Sequence, residues 1–118
     1  MHRIAVYGTL RRGCGNHSLL EDSTFLFEGI VDGVIYSLGG FPGYKSAPAG
    51  NVIVEVYEVD DATLARVDRL EGVGMGFYDR REVYAWGDDL EGNVFIYEYC
   101  GKVYEDRIIP TGDWKKRS

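Results

Sequence analysis

The stretch Asn51-Val52-Ile53-Val54-Glu55-Val56-Tyr57-Glu58-Val59-Asp60-Asp61-Ala62-Thr63-Leu64-Ala65-Arg66-Val67-Asp68-Arg69-Leu70-Glu71-Gly72 decides the reading of this chain. Its first nine residues alternate: Val52, Val54, Val56 and Tyr57 fall among Asn51, Ile53, Glu55 and Glu58. A period of two is that of a β-strand, whose successive side chains point to opposite faces. Ile53 implies burial on both faces at one end. The period then changes. An Asp at Asp60-Asp61 satisfies the first N–H groups of a helix and complements the positive end of its dipole. Leu64, Val67 and Leu70 follow near helical spacing within Ala62 to Leu70. Gly72, Gly74 and Gly76 end the helix.

Working outward, Arg3 to Tyr7 reads as a short strand, and Gly8 to Gly15 as a loop broken by Gly8, Gly13 and Gly15. Asn16 is placed to cap a short helix through Leu20. Phe25 to Ser37 holds two strands or one long bent strand, with Gly29 and Gly33 marking a bend or bulge. Gly39-Gly40-Phe41-Pro42-Gly43 is a turn region. Beyond the helix, Phe77 to Trp86 and Asn93 to Tyr99 read as strands joined by the polar turn Gly87 to Gly92. Val103 to Ile109 reads as a weaker extended segment ending at Pro110. The sum is α+β: a mostly antiparallel sheet curled toward a small barrel, with one main helix packed on it. The 118 residues, with no repeat, linker or low-complexity tract, read as one domain over 1–118.

Charge removes several functions. Thirteen Lys and Arg against nineteen Asp and Glu leave a net charge of -6, without the basic footprint of a nucleic-acid binder. Lys115-Lys116-Arg117 reads as a short solvated end. No apolar run is long enough to span a bilayer. The first strand meets Gly8 and two arginines too soon to be a signal-peptide core, so the expected location is cytoplasmic. Cys14 and Cys100 follow no metal spacing, and His2 and His17 have no carboxylate or Cys cluster around them in sequence; no metal site is read. A reduced cysteine pair fits a chain without a secretion signal better than a disulfide.

Two places carry chemistry. In Val6-Tyr7-Gly8-Thr9-Leu10-Arg11-Arg12-Gly13, a Gly directly after a strand lets a ligand approach the main chain closely. Successive N–H groups ahead of a helix make an anion site, to which Arg11 and Arg12 add positive potential. The same residues also read as a plain strand-to-helix turn with exposed arginines. The stretch is no Walker motif, because the Lys-Ser/Thr end is missing. The second place is Glu71. Leu64, Val67 and Glu71 fall on one helical stripe, with Asp68 alongside. An enclosed carboxylate at a helix C-terminus has its pKa raised by desolvation and by the dipole, and so becomes a candidate general acid/base. If the helix has already ended, Glu71 points to water instead. The aromatic series Phe77, Tyr78, Tyr84, Trp86, Tyr97 and Tyr99 supplies core and sheet surface, with one or two rings available to line a pocket. No Ser, His and Asp set suggests a hydrolase triad.

Four segments in register resemble the gamma-glutamylcyclotransferase-like family. Val6-Tyr7-Gly8-Thr9-Leu10-Arg11-Arg12-Gly13, followed by Asn16-His17, looks like its N-terminal Tyr-Gly-Thr/Ser-Leu loop. Tyr36 through Phe41-Pro42-Gly43 is similar to its hairpin-and-turn segment. Val54 to Val59, leading into Leu64, Val67-Asp68-Arg69-Leu70-Glu71-Gly72 and then Phe77-Tyr78-Asp79-Arg80, looks like its strand, its Leu-Asp-x-x-Glu-Gly helix end and its Tyr-x-Arg strand. Gly112-Asp113-Trp114 resembles its C-terminal signature. The length fits the short branch, which includes gamma-glutamylamine cyclotransferase. Val67 departs from the usual Leu, and the Gly-rich run after Glu71 is a further departure at the pocket mouth.

The resemblance implies a small β-barrel with flanking helices that takes a small-molecule γ-glutamyl substrate. It implies cyclisation of the γ-glutamyl group of an amine or amino-acid conjugate to 5-oxoproline, with release of the amine. It assigns the acid/base role to Glu71 and substrate binding to Tyr7, Gly8, Thr9 and Leu10. Tyr78 is the first strand aromatic expected against the same pocket. Ring closure is intramolecular, so orientation and proton transfer suffice, and no metal, nucleotide or other cofactor is required. The same pocket also suits a non-catalytic module that holds a small ligand or a protein terminus.

Overall fold

The computed structural model describes residues 1–117. Alternating apolar residues build seven strands: β1 (His2–Val6), β2 (Thr24–Asp32), β3 (Val34–Ser37), β4 (Pro42–Lys45), β5 (Asn51–Val59), β6 (Tyr78–Gly87) and β7 (Glu91–Tyr99). The α-helix α1 (Asp61–Leu70) follows β5 directly. Asp60 caps it, accepting from the Thr63 amide at 2.7 Å. Gly72 ends it in the left-handed region at φ 64°, a conformation glycine adopts without steric cost.

The strands run in the order β1-β5-β2-β6-β7-β4-β3, and a parallel pairing of β1 with β7, Ile4 opposite Phe95, closes five of them into a barrel. Closure leaves β3 and β4 as a hairpin outside the ring. It is attached to β7 at Tyr44 opposite Glu98, again in parallel. One edge of β7 is therefore shared: β1 takes one end and β4 the other.

Period-two alternation sorts the side chains of each wall. Ala5, Val52, Val54, Val56, Val94 and Ile96 belong to one buried cluster, the barrel interior. Ile4, Val6, Tyr57, Val59 and Tyr97 belong to a second, which packs under Leu64 and Val67 of α1. Burying a Val or Leu in this way is worth about 1.5–3 kcal/mol each. Two-sided burial is why β5 lacks the apolar-in, polar-out pattern of a half-solvated strand.

Several local expectations change. Asn16 makes no side-chain cap; the segment forms a 3₁₀ turn, His17–Leu20, because the Asn16 side chain is engaged by Thr9 instead. Of the two glycines in the bent strand, Gly33 divides β2 from β3, whereas Gly29 stays in register opposite Val54 and the bulge falls between Phe25 and Phe27. Val103 to Ile109 is not extended throughout: Glu105–Arg107 is a 3₁₀ turn, and only Ile108 bridges back, to Tyr36. The basic end is exposed at Lys115, Lys116 and Arg117, as expected, and it also makes local contacts. Trp114 is buried in the barrel cluster, Lys115 Nζ lies 3.6 Å from Glu55, and the Arg117 guanidinium stacks 3.9 Å from the Trp114 ring. Cys14 and Cys100 are free thiols. Among the described residues no helix is long and apolar enough to cross a membrane, and no group of three His, Cys, Asp or Glu side chains is placed to hold a metal ion.

Candidate active site

Where β1 and β4 part along the edge of β7, residues from both sides line a cavity of about 540 Å³. Tyr7 spans the split. Its hydroxyl donates to the Tyr97 carbonyl of β7 at 2.7 Å and accepts from the Tyr44 amide of β4 at 3.0 Å. That hydroxyl is fully engaged in the scaffold, so Tyr7 meets the cavity with its ring. Burial raises the phenol's pKa well above the usual value, with Tyr78 and Glu71 adding to the effect.

Gly8, Thr9 and Leu10 form the adjoining wall. Their three carbonyls are all occupied. Gly8 accepts from the Arg11 amide at 3.0 Å and Thr9 from the Asn16 amide at 2.9 Å, while Leu10 pairs with His17 Nδ1 at 2.9 Å. The Asn16 side chain also donates to Thr9 Oγ1 at 2.9 Å. The amides of the same three residues have no hydrogen-bond partner among the described residues. A loop whose acceptors are satisfied and whose donors are free is a candidate anion-binding surface.

The reason for glycine at position 8 differs from the expected one. A Cβ there would lie 2.6 Å from Pro42 Cγ and 2.7 Å from Cδ. The missing side chain makes room for the first residue of β4, and so holds the hairpin against the loop. Tyr78 fixes the same proline from the other side, its hydroxyl donating to the Pro42 carbonyl at 2.9 Å. Tyr78 thus lines the cavity with its ring, edge-on to Tyr99 at 5.3 Å between centroids.

Arg11 does not add charge to this loop's pocket face. It is 3% exposed and turned away into an ion cluster. Its Nε donates to Glu55 Oε2 at 3.1 Å and its Nη1 to Asp113 Oδ1 at 2.7 Å. Glu55, 1% exposed, also accepts from the Arg12 amide at 2.9 Å and the Tyr57 hydroxyl at 2.8 Å. Burial pushes the Glu55 carboxyl up, but those donors and the Arg11 charge outweigh it and leave the pKa below the usual range. The cluster ties the loop to β5 and to the C-terminal segment. Sequence reading named its members separately and missed the cluster, because its partners stand 44 and 102 residues from Arg11. The Gly112-Asp113-Trp114 run was the available signal.

Glu71 lines the same cavity. Its amide donates to the Val67 carbonyl at 2.9 Å, the last helical bond before Gly72 turns the chain away. The carboxyl continues the stripe of buried Leu64 and Val67. Burial pushes it up to about 7, with no opposing hydrogen bond or cation. Desolvation, one of the two causes expected, raises it here. Asp68, one position earlier, is engaged elsewhere, accepting from the Tyr97 hydroxyl at 2.7 Å and from Arg80 at 2.6 Å. Glu71, Tyr7, Gly8, Thr9, Leu10 and Tyr78 therefore surround one cavity. Asn16, Pro42 and Leu70 join them without having been singled out as site residues, and Tyr97 and Tyr99 do so from the aromatic series. Tyr84 and Trp86 of that series lie apart, on the rim of a separate groove.

A small closed barrel with an outlying hairpin, and one cavity lined by both a lone half-buried carboxylate and a loop with free amides, defines a class. The family model described as gamma-glutamyl cyclotransferase, AIG2-like, matches residues 4–116. The chain belongs to that family. It is 37% identical over 117 residues to the gamma-glutamylcyclotransferase family protein YtfP of Escherichia coli K12, covering 98% of this chain and 97% of that protein. The crystal structure of an uncharacterized protein from Pyrococcus horikoshii superposes with a TM-score of 0.77 at 34% identity, over 98% of this chain and 92% of the other. A mouse AIG2-like protein shares the fold, with a TM-score of 0.79 at 24% identity over 91% of this chain and 82% of the other.

Proposed function

We propose that this chain cyclises the γ-glutamyl group of a small γ-glutamyl amine or amino acid to 5-oxoproline and releases the amine. The observation that carries the reading is the Glu71 carboxyl, with a pKa of about 7, in one cavity with the unpaired amides of Gly8, Thr9 and Leu10. The amides receive the substrate's α-carboxylate or the oxyanion that develops at the γ-carbonyl. Glu71 in its ionised form takes a proton from the α-ammonium. The freed amine attacks the γ-carbonyl carbon, the new C–N bond closes the five-membered ring, and the old γ C–N bond breaks. Glu71 hands its proton to the departing nitrogen, which leaves poorly without one. Two protons leave the α-nitrogen on the way from ammonium to lactam. Two arrive at the other nitrogen on the way from amide to ammonium, so the carboxyl shuttles without net change. A pKa near neutrality suits both halves of that task. Holding the chain folded for ring closure supplies the remainder, on the order of 7–11 kcal/mol in well-oriented cases.

The test is 5-oxoproline release from a panel of γ-glutamyl amides by the parent and by Glu71→Gln. The variant keeps the shape but accepts no proton, and the expected loss is ~10²–10⁴-fold. Full activity in Glu71→Gln refutes the mechanism. Ligand-induced thermal stabilisation of the parent without product points instead to a binding module.

A further inference from the structure

We infer that the mouth of the Glu71 cavity is a subsite for the leaving amine, and that it selects uncharged apolar amines, aryl-alkyl amines foremost. The inference rests on the proposed cyclisation for the identity of the group that enters. Three large apolar side chains reach the cavity from separate places: Phe41 from the turn before β4, Leu70 from the last residue of α1, and Phe77 from the residue before β6. They are 47%, 43% and 55% exposed. The loop, Tyr7, Tyr78 and Tyr97 in the same lining are mostly buried, so the cavity passes from an enclosed part to an exposed apolar part. The free amides and Glu71 meet the charged α-carbon end of a γ-glutamyl compound, so the remainder of the molecule extends toward the exposed apolar residues.

Phe77 is held there although it is exposed. Its amide donates to the Gly72 carbonyl at 3.1 Å, and its carbonyl accepts from the Cys100 amide at 3.0 Å. A Cβ on Gly72 would lie 2.5 Å from Phe77 Cδ2, so the ring rests on that glycine. An exposed aromatic with a fixed backbone and a seated ring loses little freedom when a ligand packs on it.

Charge argues the same way. Among the described residues no Lys, Arg or His lines the cavity, and Glu71 is its single acidic group. Nothing there neutralises a carboxylate on the leaving amine, and the chain's net charge of -6 repels one. A second ammonium would find no lining anion other than Glu71, which the reaction occupies, and so gains nothing from the apolar mouth.

The experiment uses γ-glutamyl amides of methylamine, n-butylamine, 2-phenylethylamine, glycine and 1,5-diaminopentane. Affinity is measured by calorimetry on the Glu71→Gln chain and turnover on the parent. The expected order is phenylethyl, butyl, methyl, with the glycine and diaminopentane conjugates weakest. The phenylethyl compound should bind on the order of 100-fold tighter than either charged one. Phe77→Ala should cut the phenylethyl-to-methyl affinity ratio by roughly 10-fold. A flat series, or a charged conjugate bound best, overturns the subsite whether or not product forms. The expected affinity order without 5-oxoproline release from the parent leaves the subsite standing and refutes the cyclisation.

Discussion

The pKa of Glu71 makes a prediction about stability as well as catalysis. In the unfolded chain this carboxyl ionises near 4.5, and in the folded protein near 7. Between those values the unfolded state has lost a proton that the folded state keeps. The advantage of the neutral, buried form is complete below the lower value and disappears as pH rises through the upper one. Above it the protein carries a desolvated carboxylate at a penalty of about 3 kcal/mol, at 1.36 kcal/mol per pKa unit. Gln at position 71 has the same shape and no charge to desolvate. Linkage puts the penalty relieved in Glu71→Gln at about 1 kcal/mol at pH 5 and about 3 kcal/mol at pH 8. Urea unfolding of both chains at the two pH values measures it, with other titrating groups cancelling in the difference. The variant should gain roughly 2 kcal/mol on the parent across that interval. A stability difference that is the same at both pH values refutes the buried, raised carboxylate, and the proton-shuttle argument with it.

Three other outcomes follow from the same geometry. In the parent, kcat/KM for 5-oxoproline formation should rise with pH along a limb centred near 7, since in the proposed mechanism the ionised Glu71 accepts the first proton; a limb below pH 5 refutes that assignment. Arg11→Met removes the cation between buried Glu55 and Asp113, and should destabilise the fold by about 3–5 kcal/mol in chemical denaturation. An undisturbed midpoint would mean that the cluster contributes nothing. Gly8→Ala drives a methyl into Pro42 and should lower stability by about 1–3 kcal/mol while loosening the β3–β4 hairpin, seen as faster amide exchange at Tyr44.

What could be read from the chain before folding follows the range of the interactions. The strand and helix of Asn51 to Leu70 are local: alternation, an Asp cap and a glycine stop specify them, and each stands where expected. The barrel's closure is not local. Ile4 opposite Phe95 is a pairing across most of the chain, and no spacing announces it. The site divides in the same way. Glu71 was recognisable as the end of a helical stripe, and its importance came from resemblance. The loop was visible as a glycine after a strand. Its pairing with Pro42, and the diversion of Arg11 to Glu55 and Asp113, depend on segments that only folding brings near. Asn16 misled for a related reason: its side chain had a nearby rival partner, Thr9.

The division of the β7 edge between β1 and β4 has a consequence for how this protein can change. Many binding sites are carved from the core and compete with it for volume. Here the cavity lies at a seam between two strands that share a neighbour, and Ile35 and Tyr44 of the hairpin are buried in the same cluster as the barrel's own side chains. The turn residue Phe41 is half exposed, whereas the hairpin itself is anchored, with Tyr44 of β4 opposite Glu98 and Gly43 against Tyr99 of β7. An exchange confined to the Phe41 side chain leaves the five-strand ring and the contacts of Pro42 with Gly8 and Tyr78 in place. Variation at the cavity mouth is compatible with an intact fold so long as it stops short of the buried hairpin residues Ile35 and Tyr44.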